Sequence, residues 1–459
     1  MMHALKRYGT SFWDAVEANP ALTITSLAAL LGIIILIISP AYRYIPDEPA
    51  HFQRAYAISE FHFIAAHKAG AGYGDYLPKS LVFLGNPLHQ PLNPKSTTWI
   101  RFDGSAVYSP LLYITDAIGI FLARTLGFTP TIILYVGRLC NLITWLALLY
   151  IALRLAGKWV WAFGAVALLP ICIFQSAHIT ADTVTVGLAM IFTALLLRAL
   201  TNPKKMQADE LKYLALVTVL LALTKQPFFL FSLATLAIPA QRFATKHEHW
   251  KSLAILILPG FVLAAGWSLL VHAANVTNGV LVASPSQQIL FILHHPFSYA
   301  QAILATHIPS GSYLLIESLS TPALWFGLHS ILWSVMFSYF LLAFGILELS
   351  DKQTTTLSKQ QRLIIIAVAL ATFLIIDTTL YLYFSTVGAT SITGLQGRYY
   401  LPILVLLILV FKNKTAFIQV SQRNVGKFIL LGSLVPFLVF CVLLLHGYPL
   451  YAHRLKSLI

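Results

Sequence analysis

Residues 21–39 read ALTITSLAALLGIIILIIS, nineteen residues without a single charge. As an α-helix, a segment of this length almost covers the ~30 Å hydrocarbon core of a bilayer. Residues 159–177 (WVWAFGAVALLPICIFQSA) repeat the pattern. The whole chain conforms to it: of 459 residues, 58% are hydrophobic and only 10% are charged. Soluble domains carry about a quarter charged residues. Barrel strands would instead show short alternating segments, and none are visible. The expected fold is therefore an all-α integral membrane protein, one polytopic domain over 1–459. Spans are expected near 21–39, 131–153, 159–177, 183–198, 211–224, 226–240, 252–274, 321–347, 363–384, 399–411 and 428–446, about eleven in all.

The net charge of +14 could suggest nucleic acid. Its distribution argues against that, because the basic residues sit in short loops between apolar runs and form no soluble basic domain. Cys140, Cys172 and Cys441 all lie inside apolar runs, so neither a disulfide framework nor a metal spacing is expected. Lys6 and Arg7 precede a long apolar run with no small-residue cleavage site, which reads as a retained first span.

Residues 108–126 (YSPLLYITDAIGIFLARTL) test the topology. If they do not span, the loops around 6–7, 154–158, 198–212, 242–251, 352–362 and 412–427 share one side, with 18 of the 30 Lys and Arg residues. The positive-inside rule makes that side the cytoplasm. Residues 108–126 are then expected as a helix lying in or dipping into the outer interface, Asp116 and Arg124 on its wet side. A large extracytoplasmic loop with interfacial helices follows at 40–130, then a helical module at 131–274, an outer loop at 275–320 and C-terminal helices at 321–459. The expected location is a bacterial inner membrane with a cytoplasmic N-terminus.

The densest polar cluster comes directly after the first span: Pro46-Asp47-Glu48-Pro49-Ala50-His51-Phe52-Gln53-Arg54. Two carboxylates at a membrane surface, with a histidine and an arginine close behind, are costly unless they have a purpose. Helix capping is the bland alternative, with Pro49 at the first helical position. Asp182 is either a helix cap or a functional carboxylate. Arg138 lies in an apolar run and needs a partner, with Asp116 and Asp182 as the candidates. Lys225 either snorkels or reaches an anion. Arg398 and Tyr399 stand where an apolar run meets the outer face, as anchors or ligands. Asp377 is an intramembrane carboxylate without an assigned role. His294, His295, His307 and His329 raise a metal site, but no ligand spacing supports one.

The string PDEPAHFQRAYAISE (46–60) resembles the signature of a bacterial multi-pass family classed as a domain of unknown function. YSPLLYITDAIGI (108–120), YVGRLCNLITW (135–145), LLP…ITAD (168–182) and LQGRYYLP (395–402) match in the same order. That family is in turn similar to the GT-C superfamily of glycosyltransferases, which use polyprenyl-phosphate-linked sugars. The resemblance implies a GT-C-like bundle and hexosyl or pentosyl transfer from a lipid-phosphate donor to a cell-surface or lipid-linked glycan, on the extracytoplasmic face. It carries the catalytic base onto Asp47, with Glu48 as its neighbour or a second base, and a second acidic residue onto Asp182. Arg398 would contact the donor phosphate, with His51, Arg54, Arg138, Lys225 and Tyr399 as further substrate-binding candidates. A divalent cation, Mg or Mn, held by Asp47 and Asp182 is the cofactor it allows. The short tail after the last span favours a glycan over a protein acceptor. Expected partners are thus a polyprenyl-phosphate sugar, a glycan acceptor and membrane lipid, with no nucleic acid. Competing expectations are a transporter or flippase for lipid-linked sugars and a non-enzymatic subunit of a polysaccharide assembly complex.

Overall fold

The structure is a computed structural model that describes residues 12–40, 45, 47–81, 91–271, 284–319, 331–348, 357–410 and 420–456. Lys6, Arg7, Pro46 and His329 lie outside the described residues.

The charge-free run forms α1 (Pro20–Ile38), started by Asn19, whose side chain accepts the Leu22 N–H at 3.3 Å, and by Pro20 in the first turn. Its buried residues Ala21, Ile24, Ala28, Leu31 and Ile35 recur every three or four positions, yet the exposed positions Leu22, Leu30, Ile33 and Ile37 are apolar too. A helix that is apolar all round needs apolar surroundings on every side. α2 (Glu48–Ser59) follows, then a three-stranded antiparallel sheet of β1 (Ala66–Lys68), β2 (Gly72–Pro78) and β3 (Thr97–Arg101) in the order β1-β2-β3. This sheet was not expected from the sequence. Gly74 of β2 pairs with Arg101 of β3, and a side chain at 74 would run into the Ile100 carbonyl.

A 3-10 turn at Pro110–Tyr113 leads into α3 (Ile114–Thr125), which turns back onto α4 (Pro130–Ala156). At twelve residues, or ~18 Å, α3 is too short to cross a bilayer. Its Asp116 is not on a wet side: it is fully buried and both carboxylate oxygens lack a hydrogen-bond partner. Then come α5 (Val160–Ala167), α6 (Pro170–Ser176), α7 (Asp182–Thr201), α8 (Ala208–Ala222) and α9 (Lys246–Leu270). Residues 275–320, expected as a loop, contain α10 (Pro285–His294) and α11 (Pro296–Leu319) over their described part. α12 (Ile331–Glu348), α13 (Lys359–Phe384), α14 (Leu401–Leu407) and α15 (Gln422–Lys456) complete the chain.

Among the described residues five helices are long and apolar enough to cross a membrane, at Pro20–Ile38, Pro130–Ala167, Asp182–Thr201, Lys246–Leu270 and Lys359–Phe384. A pair bent by 107° at Pro285–His294 and Pro296–Ile308 makes six if counted as one span. The expected eleven is not confirmed among the described residues; parts of the expected spans 321–347 and 399–411 lie outside them, and other runs are shorter or interrupted for physical reasons. The run 159–177 breaks ahead of Pro170 into α5 and α6. The run 211–224 gives only the fifteen-residue α8, and 226–240 becomes a 3-10 helix, Gln226–Ala237, begun by Pro227.

Candidate active site

The ends of α1, α6, α8 and α13 and the starts of α2, α4 and α7 gather at one end of the bundle. The connections rich in Lys and Arg, such as Lys158 and Lys204–Lys205, follow the opposite ends of α4 and α7. Two residues of α4 organise the gathering. Arg138 is wholly buried and grips Glu48 at two points, Nε to Oε1 at 2.8 Å and Nη2 to Oε2 at 2.6 Å. It also donates to the carbonyls of Ser39 (3.3 Å) and Pro40 (3.0 Å), closing the C-terminus of α1. Glu48 Oε1 accepts the Ile179 N–H at 3.1 Å as well. One turn on, the two N–H groups of the Asn141 amide are shared among the carbonyls of Gln175, Ser176 and His178 and the Thr183 hydroxyl, all within 3.1 Å of its nitrogen. α4 thus fixes the α1–α2 link and the 177–181 turn against each other. Burial pushes the Glu48 carboxyl upward, but Arg138 and its hydrogen bonds outweigh this and hold it below the usual range.

With Glu48 so placed, its neighbour Asp47 takes the N-cap position of α2 in a left-handed conformation, φ 63°, and makes no side-chain capping bond. Positive φ in a non-glycine residue stores ~1 kcal/mol or more and points to a site. Its carboxylate pairs with Arg398 Nη2. Arg398 stands on the 3-10 turn Gly397–Tyr400, and its Nε also lies 3.4 Å from Asp182 Oδ2. Asp182 opens α7, where its charge suits the helix dipole, but the cap position belongs to Ala181. Its other oxygen pairs with Lys225 Nζ. Lys225 therefore does not snorkel: its ammonium lies 4.9 Å from the ring centre of Tyr399 and 5.4 Å from that of Tyr108. His51, one turn after Asp47, shares a 2.6 Å hydrogen bond with the Tyr113 hydroxyl and stacks on Tyr108, ring centres 6.0 Å apart.

The folded chain thus brings together Asp47, His51, Asp182, Lys225, Arg398 and Tyr399, six of the residues singled out in the sequence. It places the other three differently. Arg138 pairs with Glu48, not with Asp116 or Asp182. Glu48, expected beside the base, is committed to that buried pair. Arg54 is buried and donates to the carbonyls of His62 (3.2 Å) and Phe63 (2.7 Å), holding the turn after α2. Tyr108 and Tyr113 were missed; their only sequence signal was their position flanking Ser109-Pro110. Asp377 gains a surrounding, buried and bonded to the Tyr400 hydroxyl (2.5 Å) and His307 Nε2 (2.7 Å).

The side chains differ sharply in access. Asp182, Lys225 and Arg398 are 6%, 11% and 11% exposed, whereas Asp47 is 46% exposed. Behind Lys225, Tyr108 and Tyr399 opens a cavity of about 130 Å³, walled mostly by apolar side chains such as Trp267, Leu380 and Phe384. The carboxylates as arranged do not fit a divalent cation, because the Arg398 guanidinium already bridges Asp47 and Asp182. Among the described residues no three His, Cys, Asp or Glu side chains group to hold a metal.

Several apolar spanning helices with a charged cluster at one end define a multi-pass helical membrane protein. Within that class, residues 85–407, more than two-thirds of the chain, match the family described as "Predicted membrane protein (DUF2142)", and the chain belongs to it. The match takes in Asp182, Lys225 and Arg398, while Asp47 and the rest of PDEPAHF precede it. No curated protein and no solved structure matches the chain.

Proposed function

We propose that this protein is a membrane glycosyltransferase of GT-C-like architecture. It moves a sugar from a polyprenyl phosphate to a cell-surface or lipid-linked glycan on the outer face of a bacterial inner membrane. Among the described residues, Lys158 and Lys204–Lys205 follow the ends of their helices opposite the cluster, which by the positive-inside rule supports a cytoplasmic N-terminus and an extracytoplasmic site.

The observation that carries this reading is the junction at Lys225: the same side chains, Lys225, Tyr108 and Tyr399, border both the charged cluster and the apolar cavity. A polyprenyl phosphate has that duality, an apolar chain and an anionic head. Arg398 and Lys225 supply donors for the phosphate oxygens, and Asp47, the open carboxylate, is the base. In the reaction the acceptor hydroxyl gives its proton to Asp47 as its oxygen bonds the anomeric carbon. The bond from that carbon to the phosphate oxygen breaks, and its electron pair leaves on the phosphate, stabilised by Arg398 and Lys225. Burial raises the Asp47 carboxyl, yet Arg398 and His51 together leave it below its ordinary range. It becomes an effective base when the donor phosphate draws Arg398 away.

The test is sugar transfer from a labelled polyprenyl-phosphate pool by purified wild-type and Asp47→Asn protein, with insertion checked in parallel. Transfer by the wild type and a loss of at least a hundredfold in the variant supports the reading. Full activity of the variant removes Asp47 as the base. Lipid translocation without transfer indicates a transporter, and neither activity indicates an assembly subunit.

A further inference from the structure

We propose that the outward face of α3 is immersed in the acyl chains of the bilayer, so that α3 is an upright half-span alongside α4. Ile114, Ile118, Phe121 and Leu122, with Leu126 just beyond, are 45%, 56%, 36%, 55% and 70% exposed. They recur at helical spacing on one side, while Asp116, Ala117, Ile120 and Ala123 are buried on the other. No charge interrupts the outward side. Arg124 is turned to Glu60 Oε1 (2.6 Å) and the Ser59 carbonyl (2.9 Å), with its guanidinium 5.6 Å from the Tyr56 ring centre.

Two contacts fix how α3 stands. The hydroxyls of Thr144 and Thr115 bond at 2.7 Å, and Gly119 lies against Cys140, where a side chain would collide with the sulfur. Positions 115 and 119 thus pair with 144 and 140, so the two helices run antiparallel, joined by the short turn after Leu126. A helix lying flat on the membrane surface cannot hold that register against a spanning helix. The exposed stripe of α4, Ile132, Leu139, Ile143 and Ile151, is what a spanning helix shows to lipid, and the α3 face extends it sideways without a break in polarity. Phe61, Phe63 and Ile64, exposed by 68%, 51% and 54%, enlarge the same surface, with Phe61 ring-to-ring with Phe121 at 6.1 Å. An apolar face this broad and uncharged fits acyl chains better than water. Tyr113, at the foot of α3, bonds His51 and so ties this helix to the charged cluster.

The wild-type protein in phosphatidylcholine vesicles, photolysed with a bilayer-soluble diazirine and read by peptide mass spectrometry, tests this. Labelling of 114–126 to within about twofold of 132–151, with little on Tyr76 or Trp99, supports immersion. Labelling of α4 with none on α3 overturns it. A second reading uses a nitroxide on Leu122→Cys, with the three native cysteines replaced by alanine. Faster relaxation by oxygen than by a nickel chelate supports the proposal. The reverse places the face in water, and insensitivity to both means a protein covers it; either result overturns immersion. Neither readout depends on sugar transfer.

Discussion

Replacing Arg138 by methionine removes the charge that α4 contributes while keeping a long side chain. It leaves Glu48, 1% exposed, with the Ile179 N–H as a donor, and takes one donor from each of the Ser39 and Pro40 carbonyls, Ser39 keeping the Tyr135 hydroxyl at 2.8 Å. Breaking a buried ion pair from one side costs about 3–5 kcal/mol, roughly two to three and a half decades in the unfolding equilibrium, since each 1.4 kcal/mol is tenfold. For a chain of this size that is a Tm lower by roughly 3–10 °C. Cys172, 4% exposed, is a natural reporter, because a thiol-reactive fluorophore labels it only as the bundle opens. The double variant Glu48→Gln/Arg138→Met removes both charges and keeps an acceptor for Ile179, so most of the loss should return. An unchanged Tm for Arg138→Met, or a double variant worse than either single one, refutes the role assigned to this pair.

Burial is the largest cause of the low His51 pKa, pulled down to about 4; Arg398 and Lys225 add to it, while Asp47 and Asp182 oppose it. An unfolded histidine binds a proton at 6.5, so this group's stability contribution is full above 6.5 and is lost as pH falls towards 4, about 3 kcal/mol in all. Thermal unfolding between pH 7.5 and 4.5 should therefore drop more steeply for the wild type than for His51→Gln; equal slopes contradict the assignment. Asp116→Leu removes a fully buried carboxyl with no hydrogen-bond partner and should stabilise the fold by about 1 kcal/mol or more, raising Tm, whereas a fall of several degrees shows that the carboxyl is used. Gly74→Ala places a methyl against the Ile100 carbonyl and should part β2 from β3, read as loss of amide-exchange protection at 97–101.

The membrane class was legible because a charge-free run of nineteen residues suits little besides a bilayer, and the site was partly legible because charges flanking apolar runs are costly. Pairing was not. Arg138 and Glu48 are 90 positions apart, and Asp47 and Arg398 are 351 apart, so local pattern offers no choice among partners. The sheet escaped because β2, GYGDYLP, has the glycines and proline of a turn; Gly74 is there to let two backbones approach, which periodicity cannot express. Hydropathy also cannot show that Pro170 and Pro227 interrupt the runs 159–177 and 226–240, which look continuous in the sequence.

Two carboxylates, Asp47 and Asp182, face two cations, Lys225 and Arg398, so the cluster as it stands is close to neutral. That balance makes three buried charges tolerable, since each without a partner would cost several kcal/mol. A phosphodiester adds a negative charge and competes for both cations. Asp182 has other support, the N-terminus of α7 and the Thr180 hydroxyl at 3.4 Å. Asp47 has no capping bond and, beside Arg398, only the Gln396 side chain as a hydrogen-bond donor; as the most open of the four it is the first to lose Arg398. Freed from Arg398 and facing a new anion, its carboxylate gains proton affinity, as a base must before it can deprotonate a hydroxyl. Donor occupancy would then switch on the base, and an empty site would leave it weak. A protein that only carried the lipid would need the cations but not a carboxylate whose basicity rises on binding.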